Sequence, residues 1–126
     1  MTATGRMEVD VDVVDVDGVG IACVRPSGEI DLANAEELAA AISSPRCAEA
    51  AGVLIDLRDV DFMDSSGLRV MLLAARAGEA RFATIVKEGS AVATLFEMVD
   101  VHDKLNVAAS EGEALDSLRA EADAPG

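Results

Sequence analysis

From Met7 the chain alternates. Glu8, Asp10 and Asp12 fall at one parity and Val9, Val11 and Val13 at the other, the period of two of a half-buried strand. The phase slips at Val13-Val14, and Asp17-Gly18 then signals a turn. A second strand is expected over about 20–26, with Ile30 closing the run after Ser27-Gly28. Together these two segments predict a hairpin. Asn34 offers an N-cap, with Glu37 as the return half of a capping box. Ala35, Leu38, Ala39 and Ile42 follow at helical spacing, and Ser44-Pro45 stops that helix. Val53, Leu54 and Ile55 form the short apolar run of a strand covered on both faces.

Leu68 to Ala77 is apolar nearly all round, broken by Arg69 and Arg76, and predicts a mostly buried helix ending at Gly78. A fourth strand is expected over 82–86. Ser90 caps the next helix, whose apolar face is Val92, Leu95, Phe96 and Val99. Residues 100–107 are read as a loop carrying at most one short strand. Ser110 and Glu113 then form a capping box ahead of Ala114, Leu115 and Leu118. The alternation after the hairpin predicts an α/β single domain. Its small mixed sheet combines an N-terminal hairpin with parallel strands and is flanked by about four helices. The domain is expected over residues 7–120, with 1–6 and 121–126 as flexible tails.

Composition narrows the function. A chain of 126 residues suffices for one domain. With 51% apolar residues but only 2% aromatic, its core must be aliphatic. Ten basic against twenty-four acidic side chains give 10 − 24 = −14. Such a surface repels nucleic-acid backbones and anionic lipids, and no aromatic platform exists to stack bases. Direct nucleic-acid binding is therefore set aside. The charge serves solubility, or steering toward a basic partner surface. Cys23 and Cys47 lack metal-type spacing and are expected as reduced thiols used as small hydrophobes. No basic stretch precedes an apolar run, and no run approaches the roughly 20 residues of a membrane span. A cytoplasmic protein without membrane insertion is expected.

Enzyme signatures are lacking. Neither a P-loop nor a G-x-G-x-x-G occurs, and His102 is the sole histidine. No catalytic residue, cofactor or metal site is expected. Asp15-Val16-Asp17-Gly18 half matches a calcium loop, but Val13 and Val24 would stand at its first and twelfth positions, so a hairpin turn is the better reading. The informative segment runs from Asp56 through Asp64-Ser65-Ser66-Gly67 to Leu68. A buried strand ends there and a helix begins, the place where open α/β sheets hold ligands and partners. The first helical turn offers unsatisfied N–H groups and a partial positive charge, so a phosphate on a serine there would find donors nearby. Gly67 would leave the serines uncovered for a partner. The plainer alternative is that Asp64 or a serine only caps the helix.

Phe62-Met63-Asp64-Ser65-Ser66-Gly67-Leu68 resembles the signature of the STAS family, in particular its bacterial anti-sigma-factor antagonists. Gly28-Glu29-Ile30-Asp31 and Leu95-Phe96-Glu97-Met98 resemble two further family elements in the right order. The resemblance covers about residues 7–120. It implies a STAS-type fold and a protein that, unphosphorylated, binds an anti-sigma factor and so releases a sigma factor. The implied partner is also a serine kinase of the GHKL type, and a PP2C-type phosphatase reverses the modification. By position Ser65 is the implied phosphoacceptor. Asp31 and Asp64 resemble the acidic residues flanking it, and Ser66 and Gly67 shape the loop. Arg69 departs from the small or apolar residues common there; it is expected exposed, contacting the partner or pairing with Asp64. Two alternatives share the fold: a STAS regulatory subunit of a membrane transport system, and a non-switching scaffold of a stress-signalling complex.

Overall fold

The computed structural model describes residues 6–78 and 81–122. The elements run β1 (Met7–Val16), β2 (Val19–Ile30), α1 (Ala35–Ile42), α2 (Pro45–Glu49), β3 (Gly52–Asp56), β4 (Asp59–Met63), α3 (Ser65–Gly78), β5 (Phe82–Ile85), α4 (Ala91–Val99) and α5 (Glu111–Ala122). Of the two predicted tails, residues 1–5 and 123–126 lie outside the described residues. The Arg6 carbonyl accepts from the Glu29 N–H at 2.9 Å, so the sheet pairing reaches Arg6. At the other end α5 continues to Ala122.

β1 and β2 form the predicted hairpin. Asp17 and Gly18 both take positive φ, 53° and 86°, the primed geometry that matches strand twist. The half calcium loop is this turn. β2 is the spine of the sheet. β1 lies antiparallel on one side of it. On its other side β3 pairs in parallel with residues 21–24, and β4 pairs in parallel with residues 27–30. β5 lies parallel beside β3, completing a mixed sheet of five strands. The expected α/β architecture is therefore present. β4 is an addition: its Asp59-Val60-Asp61-Phe62-Met63 stretch lacks the continuous apolar run that marked β3. Only Val60 and Met63 of β4 are buried.

The valine slip in β1 is not a bulge. Residues pair one to one from Met7↔Gly28 to Val16↔Val19. Met7, Val9 and Val11 pack on the main core, under α1 and α3, whereas Val14 and Val16 pack on the smaller core under α5. The strand thus covers one face of the sheet with its first half and the other face with its second. Val13, at the changeover, is 50% exposed.

Four helices were expected; α1, α3, α4 and α5 supply them, and α2 is a short fifth. Pro45 does end α1, but it also opens α2 as its first residue, where a missing N–H costs nothing. Ser90 caps α4 by accepting from Ala93 N–H at 3.1 Å, and Ser110 caps α5 by accepting from Glu113 N–H at 3.2 Å. Asn34 differs from expectation. It stands at the N-cap position of α1 without a side-chain capping bond. It is 2% exposed, and its side chain turns back to β2 instead. α3 also differs. Its buried stripe is Gly67, Met71 and Ala75, while Leu73 is 57% exposed.

Candidate functional site

β2 and β4 end side by side, with Ile30 opposite Met63. The Asp64 N–H donates to the Ile30 carbonyl at 3.1 Å. The next residue of each chain segment is an aspartate, so the fold sets Asp31 beside Asp64. Each carboxylate is engaged by backbone. Asp31 Oδ1 accepts from Ala33 N–H at 2.9 Å, and Asp64 Oδ1 accepts from Ser66 N–H at 2.8 Å and Gly67 N–H at 3.3 Å. Asp64 is thus the N-cap of α3. Asn34 fastens the other loop: its Oδ1 accepts from Asp31 N–H at 3.0 Å and its Nδ2 donates to the Glu29 carbonyl at 2.8 Å.

The six predicted site residues divide. Asp31, Asp64 and Ser66 are half-buried, and Ser65 and Arg69 are exposed. Gly67 is buried and faces inward. A Cβ there would stand 2.7 Å from Ile30 Cγ2 and 2.8 Å from Met63 Cγ. Glycine is needed for close packing of α3 on the sheet, not to clear an approach for a partner. Among the described residues no ion pair joins Arg69 to Asp64; the described ion pairs lie elsewhere. The expectation of nearby donors for a phosphate also changes. Two amides of the first turn are already committed to Asp64. A phosphate on Ser65 would compete with that carboxylate for them, and would repel it.

Sequence reasoning missed two features here. Leu32, next to Asp31, is 79% exposed, and Phe62, two residues before Asp64, is 46% exposed. Their neighbours in the motif were the signal that could have raised them. The other missed feature is a charged cluster on the α5 side of the sheet. Asp56 is 7% exposed. Arg58 grips it with two bonds, Nε to Oδ1 at 2.9 Å and Nη2 to Oδ2 at 2.8 Å. Arg25 Nε lies 3.5 Å from Asp56 Oδ2, and Glu111 at the start of α5 reaches Arg58 at 2.7 Å. Burial alone would raise the Asp56 pKa, but the bonds and charge of Arg58, helped by Arg25, outweigh it and hold the carboxyl below its ordinary value.

Cys23 and Cys47 are both buried and unpaired. Burial pushes the Cys23 thiol up, partly offset by Arg25, which makes it a poor nucleophile. No group of three or more metal-ligating side chains occurs among the described residues. No helix among them is long and apolar enough to cross a membrane.

A strand-end aspartate pair, a serine-bearing helix start and this sheet order define a class. The STAS domain family model matches residues 10–114, and the chain belongs to that family. Over 61 residues it is 39% identical to BtrV of Bordetella bronchiseptica, a protein that carries the name of an anti-sigma factor antagonist. The match covers 48% of this chain and 51% of BtrV, so the chain aligns with about half the length of that curated relative. An anti-sigma factor antagonist from Mycobacterium paratuberculosis superposes with a TM-score of 0.79 at 24% identity, over 94% of this chain and 99% of that one. The anti-sigma factor antagonist SpoIIAA, in its unphosphorylated form, superposes with a TM-score of 0.57 at 25% identity, over 89% and 98%.

Proposed function

We propose that this chain is an anti-sigma-factor antagonist whose binding to its partner is switched off by phosphorylation of Ser65. The observation that carries the reading is the exposed Ser65 at the start of α3, set between Asp64 and the amides that Asp64 occupies. Phosphoserine adds about −1.5 to −2 charge. Asp64 adjoins that charge in sequence, and Asp31 ends the neighbouring strand. In the free protein water screens the repulsion. In a complex the same charge is desolvated beside Asp64, and Arg69, four residues on along α3, offsets only part of it. A penalty of roughly 3 kcal/mol, about a hundredfold in affinity, is ordinary for such a group.

The binding surface is formed by Asp31, Ser65, Ser66 and Arg69, with Leu32 and Phe62 adding apolar contact; Asp64 and Gly67 hold its shape from within. The partner is an anti-sigma factor with GHKL-type serine kinase activity, and a PP2C-type phosphatase resets the switch. Both act in the cytoplasm, and the chain itself catalyses nothing. The test is a pull-down from lysate of the source organism with wild-type, Ser65→Ala and Ser65→Asp baits, identified by mass spectrometry. A GHKL-type kinase is expected on the wild-type and Ser65→Ala baits and lost from Ser65→Asp. Capture of transporter subunits by all three baits alike would overturn the reading.

A further inference from the structure

The two faces of the sheet are covered unequally. α1, α3 and α4 share the main core, with Leu38, Met71, Val92 and Phe96 buried in it. In the second core the helical residues all come from α5: Ala114 and Leu118 are buried, and Leu115 packs beside them. Beneath them the strand register sets Cys23, Leu54 and Ala83 in one row across β2, β3 and β5. Ile21 and Ile85 belong to the same core, and none of the five is more than 2% exposed. One helix thus keeps water from a continuous apolar strip of the sheet.

α5 is a weak cover. It has 12 residues, a length at which a helix is marginal in water without packing. Gly112 in its first turn lowers its helix propensity further. Leu115 and Leu118 are its two large apolar side chains, and of these Leu118 is the buried one. Charged ties at both ends supplement that contact. Glu111 lies 2.7 Å from Arg58 Nη2 and 3.8 Å from Arg25 Nη2, and Arg119 Nε lies 3.5 Å from Asp17 Oδ2. All of these groups are partly exposed, so each tie alone contributes little. An element attached in this way opens at a lower cost than the whole chain unfolds.

We propose that α5 is a latch: it lifts from the sheet as a unit while the rest stays folded, and Glu111 is the residue that keeps it shut. The open form presents Ile21, Cys23, Leu54, Ala83 and Ile85 to solvent. α3, which carries Ser65, packs on the opposite face. The latch is therefore a conformational device independent of the Ser65 switch, and it uses no residue of that site.

Cys23 reports the opening, because it lies in the strip under α5 and is 1% exposed. The test alkylates the full chain with N-ethylmaleimide in native buffer, and peptide mass spectrometry follows the label on Cys23 apart from that on Cys47. Glu111→Gln should speed Cys23 alkylation by about fivefold, the upper range for partly exposed ion pairs. Gly112→Ala should slow it by about threefold through helix propensity; a Cβ there would meet nothing nearer than Ser110 Oγ at 3.9 Å, so alanine fits. Gly67→Ala crowds Ile30 and Met63 on the far face, which lowers the stability of the whole chain. It should leave the Cys23 rate unchanged, and urea below the unfolding transition should raise that rate only weakly. Cys23 alkylation that follows global stability in Gly67→Ala and in urea would overturn the proposal, because the thiol would then be freed only by complete unfolding. So would a rate indifferent to Glu111→Gln and Gly112→Ala, or no alkylation of Cys23 in native buffer.

Discussion

Asp56 closes β3 and Asp64 follows β4, so both carboxylates stand where a strand gives way to the next element. Asp56 is enclosed, and Arg58 and Arg25 supply the opposite charge. Asp64 is half-buried, and its partners are two backbone amides. The first arrangement is neutralised and ties β2, β3 and α5 together through Glu111. The second leaves the local charge negative and an exposed serine at its edge. What satisfies a carboxylate therefore decides whether it serves as a fastening or as part of a responsive surface. Residue type alone does not separate the two.

The contrast can be broken at either end. The largest effect is expected from Ser65→Asp, which should weaken partner binding by about a hundredfold, roughly 3 kcal/mol, with little change in the urea midpoint. Arg58→Ala should do the reverse. Removing the bidentate partner of an enclosed carboxylate should cost about 2 kcal/mol of stability, less than for a fully buried pair because Arg58 is itself 44% exposed. Partner affinity should not follow; a parallel fall in affinity would mean that the two acidic sites are coupled. Gly67→Ala comes next. Ile30 and Met63 must shift to admit the methyl group, at about 1–2 kcal/mol in urea unfolding.

Asp64→Ala should cost about 1 kcal/mol through the lost cap, and Asp64→Asn less, because an amide oxygen still accepts. The smallest effect concerns acid. The Asp56 carboxyl is held below its ordinary value of 3.8, so its stabilising contribution is complete above that value and disappears as pH falls through the folded-state pKa. Stability measured between neutral pH and pH 2 should therefore fall less steeply in Arg58→Ala than in wild type. Identical slopes would remove Asp56 from the acid response.

Much of this fold is legible along the chain, because period and punctuation agree in the hairpin, β3, β5 and the four main helices. The turn at Asp17-Gly18 and the caps Ser90 and Ser110 carry their own chemistry. β4 is harder to see: it hangs on β2 through backbone bonds while only Val60 and Met63 are buried, so its pattern is weak. Asn34 misleads because its amide can serve either the helix ahead or the strand behind, and tertiary context selects the strand. Gly67 is visible as a motif residue, but the reason for glycine lies in Ile30, far away in sequence. The Asp56 cluster joins Arg25 of β2, Asp56 of β3, Arg58 just after it and Glu111 of α5, and no local spacing announces it. The exposure of Leu73 was hidden for the opposite reason: an apolar helix predicts burial.

No strand among the described residues pairs with the outer edge of β1, and such an edge is a template on which another chain could add a strand and begin to aggregate. Its outward-facing positions hold Glu8, Asp10, Asp12 and Asp15, and Arg46 reaches across to bond the Val11 carbonyl at 2.7 Å. Two copies approaching edge to edge would bring like charges together and find one of the needed acceptors already taken. The acidic alternation that first marked β1 as a strand also keeps that strand solitary. Replacing those acids with threonines would keep the fold and forfeit the protection, and such a chain should precipitate at concentrations where the native one stays dispersed.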